Sequence, residues 1–164
     1  MSFESVRAWM AEHAPDLAII DNGMSTATVA EAAQALGVEP ARIAKTLAVR
    51  VKDETFLLVT RGDARLDNQK TKAAFGGRPR MLGPDETLAL TGHPVGGVCP
   101  FGLATPLPVY CDVSLREFDT VFPAAGSLTS SVEVTPERLA KLVAKGWVDL
   151  CRLPEDQAGS SSAD

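Results

Sequence analysis

Residues 92–108 hold four glycines and four prolines, and neither a helix nor a strand can run through all seventeen of them. Proline has no N–H to give to a helix or a ladder, and glycine loses more chain entropy on ordering than any other residue. The chain must therefore join two stretches of regular structure across a long, conformationally restricted loop. Its 164 residues suit one domain with one hydrophobic core. Shares of 45% hydrophobic and 23% charged residues are those of a globular protein and exclude wholesale disorder or a fibrous class.

Ahead of that loop, Ser2 caps a helix that carries Phe3, Val6 and Met10 on one face, and residues 17–20 read as a strand. Thr28 and Glu31 form a capping box for a helix to Leu36, terminated by Gly37, and Pro40 opens another short helix. Residues 46–51 and 55–60 look like a hairpin, residues 67–75 and 84–90 like helices, with an extended piece at Met81-Leu82. Beyond the loop, residues 109–113, 121–122 and 130–134 read as strands. Thr135-Pro136-Glu137 starts a helix closed by Gly146, and residues 147–150 form a last apolar piece. Short strands interrupted irregularly by helices predict an α+β single domain, with a curved mixed β-sheet flanked by helices. That domain is expected over residues 1–153, and 154–164, lacking apolar residues to dock it, as a disordered tail.

Net charge is -5, which speaks against a protein that coats nucleic acid or anionic membrane indiscriminately. Residues 61–80 depart from that balance: Arg61, Arg65, Lys70, Lys72, Arg78 and Arg80 face only Asp63 and Asp67, a local +4 within a remainder of -9. A polyanion docking at one place and a solvated face rich in Arg and Lys both fit this pattern. No apolar run approaches the roughly 18 residues of a membrane span, and Glu4 and Arg7 stand where a signal peptide would be apolar, so the chain reads as cytoplasmic. Cys99, Cys111 and Cys151 are odd in number and form no Cys-x-x-Cys, which signals reduced thiols rather than a disulfide framework or a zinc site.

Within the loop, Gly96-Gly97-Val98-Cys99-Pro100 could bring several backbone N–H groups to one oxygen, or could be a structural turn. His93 either hydrogen-bonds the backbone or works as an acid or base, and with one other histidine in the chain, His13, it predicts no metal site. Cys99 is either a packed thiol or a nucleophile served by His93. Lys45 ends the Pro40 helix pattern just before the Thr46 strand, either as a solvated helix end or facing a cleft.

Ile43-Ala44-Lys45-Thr46-Leu47, the loop Gly96-Gly97-Val98-Cys99-Pro100-Phe101-Gly102, Asp112 followed by Leu115, and Ala125-Gly126-Ser127 occur together in the order of one family. The chain resembles the YbaK/EbsC family, stand-alone relatives of the editing domain inserted in bacterial prolyl-tRNA synthetase. The resemblance runs from about residue 1 to residue 150 and implies an aminoacyl-tRNA deacylase acting in trans, most directly on tRNA for proline, without a cofactor or metal. It makes Lys45 the essential lysine and Gly96 and Gly97 catalytic through their backbone. Thr46, His93, Val98, Cys99, Pro100, Phe101, Asp112, Gly126 and Ser127 become substrate-binding, and the aminoacyl-tRNA acceptor end, with prolyl-tRNA synthetase, the implied partner. Arg61, Arg65, Lys70, Lys72, Arg78 and Arg80 then meet acceptor-stem phosphates.

Two departures bear on specificity. Cys99 stands where small hydroxyl residues are common, and Val29 and Ala32 match positions that carry bulkier aliphatics in the synthetase domain, so a roomier pocket is expected. The amino acid removed stays open among alanine, cysteine, serine, threonine and small analogues. A non-catalytic tRNA-binding or synthetase-associated module of the same fold and a Cys99-dependent hydrolase of small esters are the competing readings.

Overall fold

The computed structural model describes residues 2–154, so the expected disordered tail lies outside the described residues apart from Pro154. Helix α1 (Ser2–His13) buries Val6 and Met10, and β1 (Ile19–Asp21) follows two residues later than the sequence indicates. Helix α2 (Val29–Leu36) starts where Thr28 accepts from the Glu31 N–H and stops at Gly37, whose φ of 70° is left-handed. Pro40–Arg42 makes one 3-10 turn, and the chain is already extended at Ile43. Strand β2 (Ile43–Val51) thus contains Lys45 instead of beginning after it. Lys45 is a strand residue with a fixed direction, not a helix end.

Strand β3 (Glu54–Arg61) completes the hairpin, and the two-residue β4 (Arg65–Leu66) leads into α3 (Asn68–Phe75), capped by Asp67. Then come β5 (Arg80–Met81) and α4 (Pro84–Thr91). Across residues 92–108 there is no helix or strand, as the prolines and glycines require. Strand β6 (Val109–Asp112), a 3-10 segment (Val113–Glu117), β7 (Phe122–Pro123), β8 (Ser130–Val132) and α5 (Pro136–Val143) follow. Gly146 does not close α5, which ends at Val143. It opens β9 (Gly146–Val148), and β10 (Cys151–Arg152) pairs back onto β4.

The fold is an α+β single domain around a mixed six-stranded sheet of order β5-β2-β3-β6-β9, with β7 also against β2. Pairings β2·β3 and β2·β5 are antiparallel, while β2·β7, β3·β6 and β6·β9 are parallel. Strand β3 is covered on both faces, which its apolar run Phe56-Leu57-Leu58-Val59 foretells. Leu57 and Val59 join the main core with Val6, Met10, Phe101, Leu115 and Leu139, while Phe56 and Leu58 join a second core with Val49, Val51 and Leu150. Phe56 stacks on Phe75 with centroids 4.6 Å apart, which fastens α3 to that second face.

Candidate active site

The edge of β2 away from β3 is interrupted. Strand β7 pairs at Ile43 and Ala44, β5 pairs at Val49 and Arg50, and the Leu82 N–H reaches the Ala48 carbonyl at 3.0 Å. Between these shoulders no strand covers Lys45, Thr46 or Leu47, and a cavity of about 270 Å³ opens there. Because backbone groups of alternate residues point to the same side of a strand, Thr46 presents its N–H and C=O to the gap as Ala48 does to Leu82. Val29 and Ala32 of α2 form another wall, three residues apart on one helix face. Gly96 and Val98 supply the side toward the loop.

Lys45 lines the cavity, and its Nζ donates to the carbonyl of Ala64 in the turn after β3. Gly62 lets that turn press against α2: a Cβ there would lie 2.2 Å from the Pro40 carbonyl and 2.9 Å from Val29 Cγ1. Burial holds the Lys45 ammonium below its ordinary pKa and Arg65 adds to that, while Cys151 and Asp63 oppose it. A half-buried cation held by one carbonyl is poised to exchange it for a stronger, anionic acceptor.

Glycines stack the loop into place. At Gly96 φ is +95°, and an added Cβ would meet Leu128 Cδ2 at 2.9 Å and Ala27 Cβ at 3.1 Å. Gly97 lies against the backbone of residues 126–127, with its N–H given to the Pro94 carbonyl at 2.9 Å. That amide serves the loop's own turn, which corrects the expectation that it faces a ligand. At Gly126 φ is +88°, and a Cβ would sit 2.7 Å from Val6 Cγ2 and 2.8 Å from the Ser2 carbonyl. Loop, turn and α1 thus form tiers in backbone contact.

Several expected site residues lie inside the protein, away from the cavity wall. His93 is fully buried: its Nε2 meets the Phe101 carbonyl at 2.7 Å, which places the proton of the neutral ring there, and its Nδ1 meets Ser2 Oγ at 2.6 Å. Ser2 Oγ also lies against the Gly126 carbonyl, so its one proton is shared between that oxygen and His93 Nδ1. Burial lowers the His93 pKa, against the pull of the Phe101 carbonyl. Cys99 is fully buried 3.5 Å from His93 Nε2, and desolvation pushes its thiol up to about 12, so it is a packed thiol and not a nucleophile. Pro100 and Phe101 are buried, Phe101 against Trp9 at 5.3 Å between centroids. Asp112 is a clamp: its carboxylate accepts from Ser114 N at 3.0 Å and Leu150 N at 2.8 Å. Ser127 Oγ pairs with Ser130 Oγ at 2.6 Å and shapes a turn.

The basic segment divides in the same way. Arg61 is buried, bidentate to Asp63 at 2.6 and 2.9 Å and bonded to Glu117 at 3.0 Å, so its guanidinium belongs to the fold and not to a phosphate. Lys70 bridges Asp149 at 3.0 Å and the Cys151 carbonyl at 2.8 Å. Arg65, Lys72, Arg78 and Arg80 are exposed. Arg80 precedes Met81, a wall residue of the cavity, on strand β5. Sequence reasoning missed Thr26, Ala44, Ala48 and Ser131 in the wall. Small residues at alternate positions of an otherwise bulky strand are the signal for two of them.

Residues 24–142 match the family model of the aminoacyl-tRNA editing domain. The chain belongs to that family. Every residue lining the cavity, from Thr26 to Ser131, falls inside the matched span of the editing domain. The uncharacterized protein YwhH of Bacillus subtilis is 46% identical over 154 residues, 93% of this chain and 98% of that protein. A proline–tRNA ligase of Acidithiobacillus ferrooxidans is 35% identical over 86 residues, which are 52% of this editing domain chain and 15% of the ligase. The crystal structure of a candidate trans-editing enzyme for prolyl-tRNA synthetase superimposes with a TM-score of 0.82 at 33% identity, covering 92% of this chain and 97% of that one. That of the hypothetical protein APE2540 gives 0.81 at 29% identity, covering 90% and 99%. No helix among the described residues is long and apolar enough to cross a membrane.

Proposed function

We propose that this editing domain hydrolyses mischarged aminoacyl-tRNA in trans, releasing a small wrong amino acid from tRNA for proline. One observation carries the reading: a cavity of amino-acid size opens at the unpaired edge of β2, with Lys45 in its wall. The likeness to a candidate trans-editing enzyme for prolyl-tRNA synthetase supports the choice of tRNA.

Water adds to the aminoacyl carbonyl carbon, directly or assisted by the neighbouring ribose hydroxyl of the substrate. Negative charge gathers on the carbonyl oxygen, the bond to the ribose oxygen breaks, that oxygen takes up a proton, and free amino acid and tRNA leave. Lys45 leaves the Ala64 carbonyl for the incoming phosphate or ester oxygen and stabilises that charge. Thr46 offers its edge amide and carbonyl to the aminoacyl group. Cys99 and His93 hold the loop from inside and exchange no proton with the substrate.

A panel of charged tRNAs tests this with the wild type and Lys45→Ala. Release of amino acid by the wild type, lost in the variant with tRNA binding retained, is the expected result. Binding without release by either would make the protein a tRNA-binding module. Activity that dies with Cys99→Ser but survives Lys45→Ala would make it a cysteine hydrolase.

A further inference from the structure

Five hydroxyl residues, Thr26, Thr28, Thr46, Thr87 and Ser131, line the cavity together with aliphatic residues such as Val29, Ala32 and Ala48. Elsewhere the buried threonines are satisfied: Thr60 with Ser114, Thr71 on the Asp67 carbonyl, Thr91 on the Thr87 carbonyl. Among the described residues, the buried side-chain oxygens and nitrogens without a hydrogen-bond partner are Thr26 Oγ1 and Thr46 Oγ1, both in this wall. A buried hydroxyl left unpaired is destabilising, so two in one cavity mark a place where a ligand supplies the partner.

The exposure gradient says which part of the ligand that is. Val95 and Met81, at 60% and 50% exposure, mark the mouth, whereas Thr26 is 8% exposed and held from behind by its N–H on the Leu128 carbonyl at 2.7 Å. A tRNA end enters from the mouth, so the ester stays near it and the amino-acid side chain leads inward. We propose that Thr26 and Thr46 read a hydroxyl on the side chain of the amino acid, so that serine and threonine esters are selected over alanine esters. The inference rests on the deacylase reading above and goes past it by naming the substrate class. A hydroxyl can donate to one threonine and accept from the other. A methyl in the same place leaves both unpaired, the situation in which polar sites discriminate most strongly.

The test uses non-hydrolysable 3′-seryl-, 3′-threonyl- and 3′-alanylamino-3′-deoxyadenosine, titrated calorimetrically into the full-length wild type, Thr26→Val, Thr26→Ser and Thr46→Val, each checked for folding by circular dichroism. In the wild type the seryl and threonyl probes should bind at least tenfold tighter than the alanyl probe. In either valine variant that ratio should fall below threefold, and Thr26→Ser should restore it. Equal binding of seryl and alanyl probes by the wild type overturns the inference. So does an equal loss for all probes in the valine variants, because the hydroxyls would then grip the ribose or ammonium that every substrate shares. Deacylation of seryl- and alanyl-tRNA is followed in parallel: probe selectivity without hydrolysis of any charged tRNA would sink the deacylase and leave this assignment standing.

Discussion

The two edges of β2 are built differently. Along one, β3 pairs without a break from Ala44 with Arg61 to Val51 with Glu54. Along the other, β7 and β5 each cover two residues and leave a gap between them, filled by the cavity. The continuous edge is backed by two cores. The broken edge gives up ladder bonds at the place where a ligand can use them. A site can thus be made in a sheet by withholding a strand as well as by adding a loop.

The sharpest break of this comparison is chemical. Lys45→Ala, at the gap, should lower kcat/KM for deacylation at least a thousandfold, about 4 kcal/mol in the barrier, while thermal melting shifts little because a half-buried lysine contributes charge more than packing. On the continuous edge, Leu58→Ala should do the reverse. Leu58 is fully buried opposite Leu47, and its truncation should cost about 3 kcal/mol in urea unfolding, with turnover per folded molecule unchanged.

Beside the gap, the basic segment should split by burial. Arg61→Ala leaves Asp63 without its bidentate partner and should cost about 2 to 3 kcal/mol of stability. Arg78→Glu with Arg80→Glu should leave melting in place, weaken tRNA about tenfold, and flatten the logarithmic salt dependence by about two. An unchanged salt slope would make those arginines a solvated face.

The smallest effect is alkaline. Burial pushes the thiols of Cys99, Cys111 and Cys151 up to about 12 from an ordinary 9.0. Between those values the native chain keeps protons that the unfolded chain has released. Stability is therefore full below pH 9.0 and declines as pH rises toward about 12. Melts taken through that window should decline less steeply for Cys99→Ser than for the wild type, and its deacylation at neutral pH should be retained.

What could be read in advance followed from local chemistry. Thr28 with Glu31, Asp67 and Thr135 announce helix starts because a capping side chain lies within three residues of the N–H it serves. Strands β4 and β10 escaped because two residues carry no period, and their partners are about 86 positions apart in the chain. The family resemblance pointed to Val29, Ala32, Lys45, Thr46, Gly96 and Val98, all of which line the cavity. It could not tell which residues of the glycine loop face in: His93, Cys99 and Phe101 are polar or apolar alike on the core side. Thr26 carries no motif at all, and only its missing partner in three dimensions picks it out.

The tiers formed by α1, Gly126 and Gly97 have a consequence for how such a protein can diversify. Their contacts join main chain to main chain, as at Gly126 against the Ser2 carbonyl and Gly97 against residues 126–127. Main chain has no rotamer to adjust, so a point substitution at these contacts cannot shift the support of the glycine loop in small steps. The cavity walls are a different material, made of side chains at Val29, Ala32, Ala44 and Ala48 that can be resized one methyl at a time. The support of the glycine loop is therefore fixed, and a change in what the cavity accepts has to be written into the side chains that line it.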